Sequence, residues 1–233
     1  AAHNLLFANN KMNDWAGQWL CAYPIFQDNR VYRPYHLKHH RHTETEDDPD
    51  LVLSSPFPIT KKSFIRKVSR DLTGITGVKR YWGSLSSIFR TKGDNVFNKI
   101  SKTSNKLHGF LISNLIIFVL ISTTMHWSLF LLLWWLPSFT YYSLIIRIRN
   151  ISEHAVTPGN NDFDNTRTTK STVLTRFLMV PHNVNYHLEH HLFTRCPWYN
   201  LPKAHSMMIE NGYEDKMCLE TSYKNVLLKA MSA

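Results

Sequence analysis

The sequence predicts a mainly α-helical integral membrane protein, in which a transmembrane helical hairpin carries a His-rich helical cap on the cytoplasmic side. Three observations predict this. Two adjacent apolar stretches each match one bilayer crossing of about 20 residues. Basic residues stand at both ends of that pair, and histidines gather on both sides of it in the sequence. A chain of 233 residues suits one domain with a sizeable core. We therefore expect a single domain over residues 1–233, with the hairpin at 107–146 and the cap built from 1–106 and 147–233. The start, Ala1-Ala2-His3, offers no initiator Met and no apolar signal segment, so we expect a chain incomplete at its N-terminus.

The elements follow in order. Residues 15–26 are mostly apolar and preceded by Asn13-Asp14, a potential helix cap. They are too few to span a bilayer and predict a buried, interfacial or re-entrant segment. A polar, His-rich stretch reaches Asp50, and Ser55-Pro56-Phe57-Pro58 reads as a turn. Residues 61–106 then carry twelve Lys and Arg against Asp71 and Asp94. The apolar runs 107–125 and 127–146 come next, with His126 in the turn between them and Arg147 and Arg149 immediately after. Cations at both ends place both ends on the cytoplasmic side under the positive-inside rule. His108 and His126, at the ends of the runs, suit interfacial roles. Helix-like stretches recur around 170–192 and 203–211.

Composition removes several alternatives. With 43% apolar and 13% aromatic residues the chain is not disordered. Three unevenly spaced cysteines, Cys21, Cys196 and Cys218, exclude a disulfide framework and a cysteine-based zinc module. The net charge of +10 is concentrated in 61–106, which reads as a cytoplasmic segment facing anionic lipid and not as a nucleic-acid interface.

Eight of the 13 histidines fall in two windows, 36–42 and 182–191. Both contain His-x-x-His-His: His36, His39 and His40 in the first, His187, His190 and His191 in the second. On a helix, residues i, i+3 and i+4 share a face, so each trio can aim several imidazoles at one place. Neutral imidazole is a nitrogen donor that suits iron, zinc, copper or nickel. Six imidazoles, with His3 and His154 as further candidates, exceed the four ligands of a structural zinc and point to two metals. Neither His-Glu-x-x-His nor a Cys/His finger spacing occurs. A nitrogen-rich two-metal site beside a membrane hairpin suggests oxygen chemistry on a lipid-like substrate. Parity agrees: two crossings return the chain to the side it left, so histidines before and after the hairpin can meet.

At these residues the sequence resembles the membrane fatty acid desaturase family, which carries three histidine boxes. Box two matches at His36, His39 and His40 within residues 35–43, and box three at His187, His190 and His191 within residues 185–193. The trailing pattern of the family appears as Cys196-Pro197 and Leu201-Pro202-Lys203-Ala204-His205, with Thr194 where the family often has Pro. His3 resembles the last histidine of box one. Asn150-Ile151-Ser152-Glu153-His154 is similar to an Asn-x-x-x-His segment of acyl-CoA desaturases. Within the family the resemblance leans towards a bacterial group.

The resemblance implies a di-iron site ligated by His3, His36, His39, His40, His154, His187, His190 and His191. It adds Asn150, His182, Glu153, Glu189 and His205 as outer or water-mediated contributors, and no catalytic residue beyond the ligands. Asp48 and Asp50 are further acceptors by sequence, though the run 47–50 reads more readily as a turn. The implied reaction is O2-dependent desaturation of a fatty acyl chain carried on lipid, CoA or carrier protein. Two electrons would come from a ferredoxin-like or cytochrome b5-like donor, in a bacterial inner membrane or the endoplasmic reticulum. Two alternatives are a hydroxylase or ketolase of a lipid, alkane or carotenoid with the same site, and a His-rich membrane haem electron-transfer protein. Because box one is incomplete and the family places a hairpin before it, the chain alone is expected to be inactive.

Overall fold

A computed structural model of the protein describes residues 1–89, 95–159 and 161–233. The chain is mainly helical, as expected, with 67% of it in helix. It divides into two compact units, one of Ala1–Pro34 with Lys67–Leu144 and one of Tyr35–Arg66 with Ile145–Ala233. Arg90, Lys92 and Asp94 of the basic segment lie outside the described residues.

In the first unit, α1 (Asn10–Ala16) starts where the Asn9 side chain accepts the amides of Lys11 and Met12 at 2.9 and 3.3 Å, relieving two unpaired helix donors. Asn13, fully buried, donates to the Ala1 carbonyl and to Asn4 Oδ1 and accepts from the Leu6 amide. It thereby fixes the turn that contains His3. A π-helical turn (Gly17–Ala22) and a 3-10 turn (Tyr23–Ile25) end at Phe26, whose φ of 59° turns the chain. The apolar segment 15–26 is thus split. Ala16, Ala22, Tyr23 and Phe26 are buried, whereas Trp15 and Leu20 are exposed. Helices α2 (Asn29–His42) and α3 (Lys61–Leu72) each have residues in both units.

Helix α4 (Ile75–Phe89) lies close to the backbone at Phe139. A Cβ on Gly77 would stand 2.3 Å from the Phe139 carbonyl oxygen, so only glycine permits this approach. Arg80 donates to the Ser138 carbonyl at 2.7 Å and covers the Tyr142 ring. Helix α5 runs Val96–Thr124, well upstream of the expected start at Leu107. Asn95 accepts the Asn98 amide at 2.9 Å, and no Gly or Pro interrupts residues 96–106, so the basic stretch and the apolar run form one helix. Gly109 admits the Tyr23 ring, which a Cβ would meet at 2.2 Å. The single Asn114 of the apolar run is satisfied, donating to the Pro24 carbonyl and accepting from Trp134 Nε1 at 2.9 Å.

His126 stands in the expected turn, where its Nδ1 lies 2.8 Å from Ser128 Oγ and accepts the Ser128 amide. From there a continuous apolar helical stretch covers Ser128–His154, including a π turn (Leu131–Trp135) and α6 (Tyr141–His154). This stretch outruns the expected end at Ile146, and α6 also has residues in both units. Leu107–Thr124 and Ser128–His154 are each long and apolar enough to cross a membrane.

The second unit has two small cores. Ile151, Ala155, Val226 and Ala230 form one, backed by Phe57, Phe64 and Leu227. Leu188, Met208 and Met217 form the other, backed by Phe163, Leu192, Ile209 and Leu219. Strand β1 (Thr168–Thr169) pairs in parallel with β2 (Leu219–Glu220), Thr168 opposite Leu219. The helical stretch expected over 170–192 is broken in two. Helix α7 (Val173–Leu178) stops before Pro181, which cannot supply a helical amide, and His182 and Asn183 take left-handed backbone before α8 (His187–Leu192) begins. Helices α9 (Leu201–Glu210) and α10 (Tyr223–Ala230) complete the unit.

Arg167, 2% exposed, locks the end of α6. Its guanidinium donates to the carbonyls of Ala155 at 2.9 Å, Val156 at 2.8 Å and Ser152 at 3.3 Å, and its amide donates to the Glu153 carbonyl. These carbonyls form the negative end of the helix, so a buried cation is favoured there without a carboxylate partner.

Candidate metal centre

Within the second unit three helices present histidines together. The last two turns of α2 carry His36, His39 and His40, the end of α6 carries His154, and α8 carries His187, His190 and His191. The helical periodicity divides them into two sets. In one, His40 Nε2 lies 3.2 Å from His36 Nε2 and 3.1 Å from His190 Nε2. In the other, His187 Nε2 lies 2.9 Å from His154 Nε2 and 3.2 Å from His191 Nε2. His39 completes the second set, its ring centroid 4.7 Å from that of His154 and 5.0 Å from that of His191. Within each set the donor atoms all fall within 4.8 Å of one another. His3 belongs to the first unit, in the turn that Asn13 fixes.

Imidazole nitrogens this close either share a proton in an N–H···N hydrogen bond or, with both lone pairs turned inward, can hold a cation between them. Metal–nitrogen bonds of about 2.0–2.1 Å place adjacent ligands roughly 2.8–3.4 Å apart across octahedral and tetrahedral angles, and the observed 2.9–3.2 Å spacings fall in that range. Burial, reinforced by the facing imidazoles, holds His187 and His191 well below the usual histidine pKa. Both rings are therefore neutral, the form that donates a lone pair.

Neighbouring groups settle which nitrogen faces inward. Asp48 lies 2.8 Å from His39 Nδ1 and accepts its proton, which directs the Nε2 lone pair of His39 towards the set. Burial opposes the charge on Asp48. The His39 ring and the amides of Asp50 and Glu44 nonetheless hold its carboxyl below the usual range. The Thr43 hydroxyl donates to the His39 carbonyl at 2.9 Å, so it accepts from His191 Nδ1 at 3.1 Å and orients that ring in the same way. Glu153, buried, accepts from Arg149 Nε at 2.9 Å and stands 3.8 Å from His187 Nε2. Glu189, fully buried within box three, accepts from Thr168 and from His205 Nδ1 at 2.6 Å and ties α8 to β1 and α9.

Other expected contributors stand elsewhere. Asn150 is half-buried one turn before His154. His182 is exposed, with its ring 4.9 Å edge-on to Trp198, and belongs to neither set. The sequence undervalued Asp48: the run 47–50 is a turn, and its carboxylate also orients His39. Thr43 carried no signal beyond its place beside box two, and Arg167 carried none.

The pattern that defines the Fatty acid desaturase family matches residues 1–219. The chain belongs to the fatty acid desaturase family. The matched range holds the three helices whose histidines form the two sets. Dihydrorhizobitoxine desaturase from Bradyrhizobium elkanii is 24% identical over 225 residues, covering 91% of this chain and 63% of that protein. The chain thus spans 63% of the length of the curated relative it matches. Members of the family typically use two irons, and an all-imidazole donor set of the kind found in this family member is compatible with iron.

Proposed function

We propose that this chain provides the di-iron site of a membrane-embedded, O2-dependent fatty acyl desaturase. The observation that carries the reading is the pair of imidazole sets, with facing nitrogens 2.9–3.2 Å apart and helices from three separate parts of the sequence. His36, His40 and His190 would hold one iron, and His39, His154, His187 and His191 the other. When bound, the irons supply O2 activation and the oxidising power to remove hydrogen from an unactivated carbon. In the net reaction an acyl –CH2–CH2– loses two hydrogens. Together with two protons and two electrons from a ferredoxin-like or cytochrome b5-like donor, these reduce O2 to two waters.

The side chains of this chain have three tasks. His187 and His191 stay neutral, so that loading displaces few protons from them. Asp48 and Thr43 hold the tautomers of His39 and His191. Burial of His39, His154 and His187 keeps water from the second set. The two apolar stretches would span the bilayer with the histidines on the cytoplasmic side, and the acyl substrate would ride on lipid, CoA or carrier protein. The exposed cations of α3 would face anionic headgroups or an acidic donor.

The test is product analysis after expression with a donor and reconstitution in lipid. A product that has lost two hydrogens supports the reading. A product that has gained an oxygen atom would make the site a hydroxylase. One zinc per chain, or a haem absorption band, would overturn the di-iron assignment.

A further inference from the structure

Helix α7 carries Val173, Leu174, Phe177 and Leu178 at positions i, i+1, i+4 and i+5, which form one continuous face. Thr172 caps the helix by accepting the Thr175 amide at 3.1 Å, so the face belongs to a formed element. None of the four packs into either core of its unit. Val173 is 85% exposed, Phe177 82% and Leu174 66%. The turn after α7 brings two more exposed aromatics alongside: the His182 ring meets Trp198, Asn183 donates to the Trp198 carbonyl at 3.2 Å, and Tyr199 follows.

Within the sequence segment that carries this face the exposed charge is of one sign. Residues 170–205 hold Lys170, Arg176, Arg195 and Lys203, and their single acidic side chain, Glu189, is fully buried. An exposed apolar helix face, exposed Trp and Tyr joined to its following turn and exposed cations in the same segment make up the chemistry of an interfacial element. Apolar side chains enter the headgroup–acyl boundary, amphipathic rings lie at headgroup level, and cations meet lipid phosphates. We propose that the α7 face, with Trp198 and Tyr199, docks on the surface of an anionic lipid bilayer. The inference rests on the membrane placement proposed above and adds a second, peripheral anchor immediately upstream of box three. An acidic protein partner could neutralise the cations, but it would leave the apolar columns of α7 without a counterpart. The lipid surface satisfies both.

The test uses the full chain, with Cys21, Cys196 and Cys218 replaced by Ser, reconstituted in phosphatidylglycerol–phosphatidylcholine vesicles. A bimane probe is placed in turn at Phe177→Cys, at Leu115→Cys on the exposed side of α5 and at Lys224→Cys on the exposed side of α10. Each is quenched by shallow doxyl-labelled lipid and, separately, by aqueous iodide. The probe at 177 should lose about half its emission or more to the doxyl lipid, as expected for a side chain lying about 5–10 Å into the interface, and be protected from iodide. The probe at 224 should show the opposite pattern. Vesicles of phosphatidylcholine alone, or Lys170→Glu with Arg176→Glu, should weaken the doxyl quenching at 177. Quenching at 115 without quenching at 177 overturns the docking proposal and leaves the membrane reading intact. Absence of quenching at both positions overturns both. Protection of 177 only when a soluble acidic donor is added would assign the face to that protein instead.

Discussion

His39 Nδ1 lies 2.8 Å from the Asp48 carboxylate, and both side chains are buried. The contact joins the last turn of a ligand-bearing helix to the turn that follows it, and it decides which ring nitrogen faces the other imidazoles. Asp48→Ala leaves His39 free to rotate and to carry its proton on either nitrogen. Losses of about 10–100-fold in metal affinity or activity are usual for such orienting carboxylates, and iron retention by Asp48→Ala should fall within that range. Asp48→Asn can still accept from Nδ1 and should retain more iron than the alanine variant. Iron titration of the folded protein checks this, because a merely structural role would lower the unfolding temperature without separating the two variants in affinity.

The metal-free protein should lose stability in weak acid. The folded-state pKa values of His187 and His191 lie well below the ordinary value because burial opposes their charge, with the facing imidazoles adding to it. In the unfolded chain both titrate near the ordinary value of about 6.5. Below that pH the unfolded state binds more protons than the folded state, so acid favours unfolding. The stability contribution is fully present above about pH 6.5, and each ring removes about 1.4 kcal/mol per pH unit as the pH falls below it. Denaturant titrations of apo protein across that range measure the slope. His187→Gln, which cannot titrate, should make it shallower.

The centre was legible where its geometry is local. The i, i+3, i+4 spacing of His36, His39 and His40 and of His187, His190 and His191 already fixes which imidazoles share a helix face. His154 was legible through the resemblance of Asn150-x-x-x-His154 to a family segment. What was not legible depends on contacts across distance in the chain. Nothing in residues 160–170 signals that Arg167 closes the helix that ends at His154. The break at Pro181 was available from the sequence, but the apolar residues on both sides of it read as one helix. The start of α5 at Val96 was hidden because charge, not helix propensity, marked the boundary.

Arg167 should prove as important to the centre as a ligand, although it touches no imidazole set. Its guanidinium serves three carbonyls within 3.3 Å, those of Ser152, Ala155 and Val156, and that of Ile151 at 3.5 Å, on both sides of His154. Arg167→Met preserves volume but leaves those acceptors buried and unpaired. Hydrogen bonds to charged groups contribute about 1.5–3 kcal/mol each, so a net loss of about 2–4 kcal/mol in unfolding free energy is expected. Arg167→Lys should fall between the two, because one ammonium cannot reach all three oxygens. Chemical denaturation gives the ranking, and iron content should follow it.

The histidines themselves should sort by set. His40→Ala and His190→Ala each remove a nitrogen that lies about 3 Å from its neighbour, and both should abolish turnover and reduce bound iron. His126→Ala should keep most activity, since its ring only caps the start of the second apolar stretch through Ser128. Expression level and membrane fraction must match in all three variants before turnover is compared. Equal loss in the three would sink the assignment, and full activity in His190→Ala would sink it more decisively.

Charge on α3 should govern turnover through ionic strength. Lys61, Lys62, Arg66 and Arg70 are exposed on this helix, and its one acidic residue, Asp71, is buried and accepts from Thr76 Oγ1 at 2.6 Å. The helix therefore shows a positive surface with no exposed anion of its own to offset it. Such a surface acts over a Debye length of about 8–10 Å at moderate salt and over a longer range when salt is low. If an acidic electron donor docks there, reversing Lys61, Lys62 and Arg66 to Glu should slow donor-supported turnover several-fold at low salt. The difference should close as salt rises, because electrostatic steering acts on the association rate. Chemically supplied electrons bypass docking, so turnover driven by a small-molecule reductant should be the same in both proteins. A deficit that persists at every ionic strength and with the small reductant would instead assign these cations to holding α3 against headgroups. An unchanged rate under all conditions would remove α3 from function altogether.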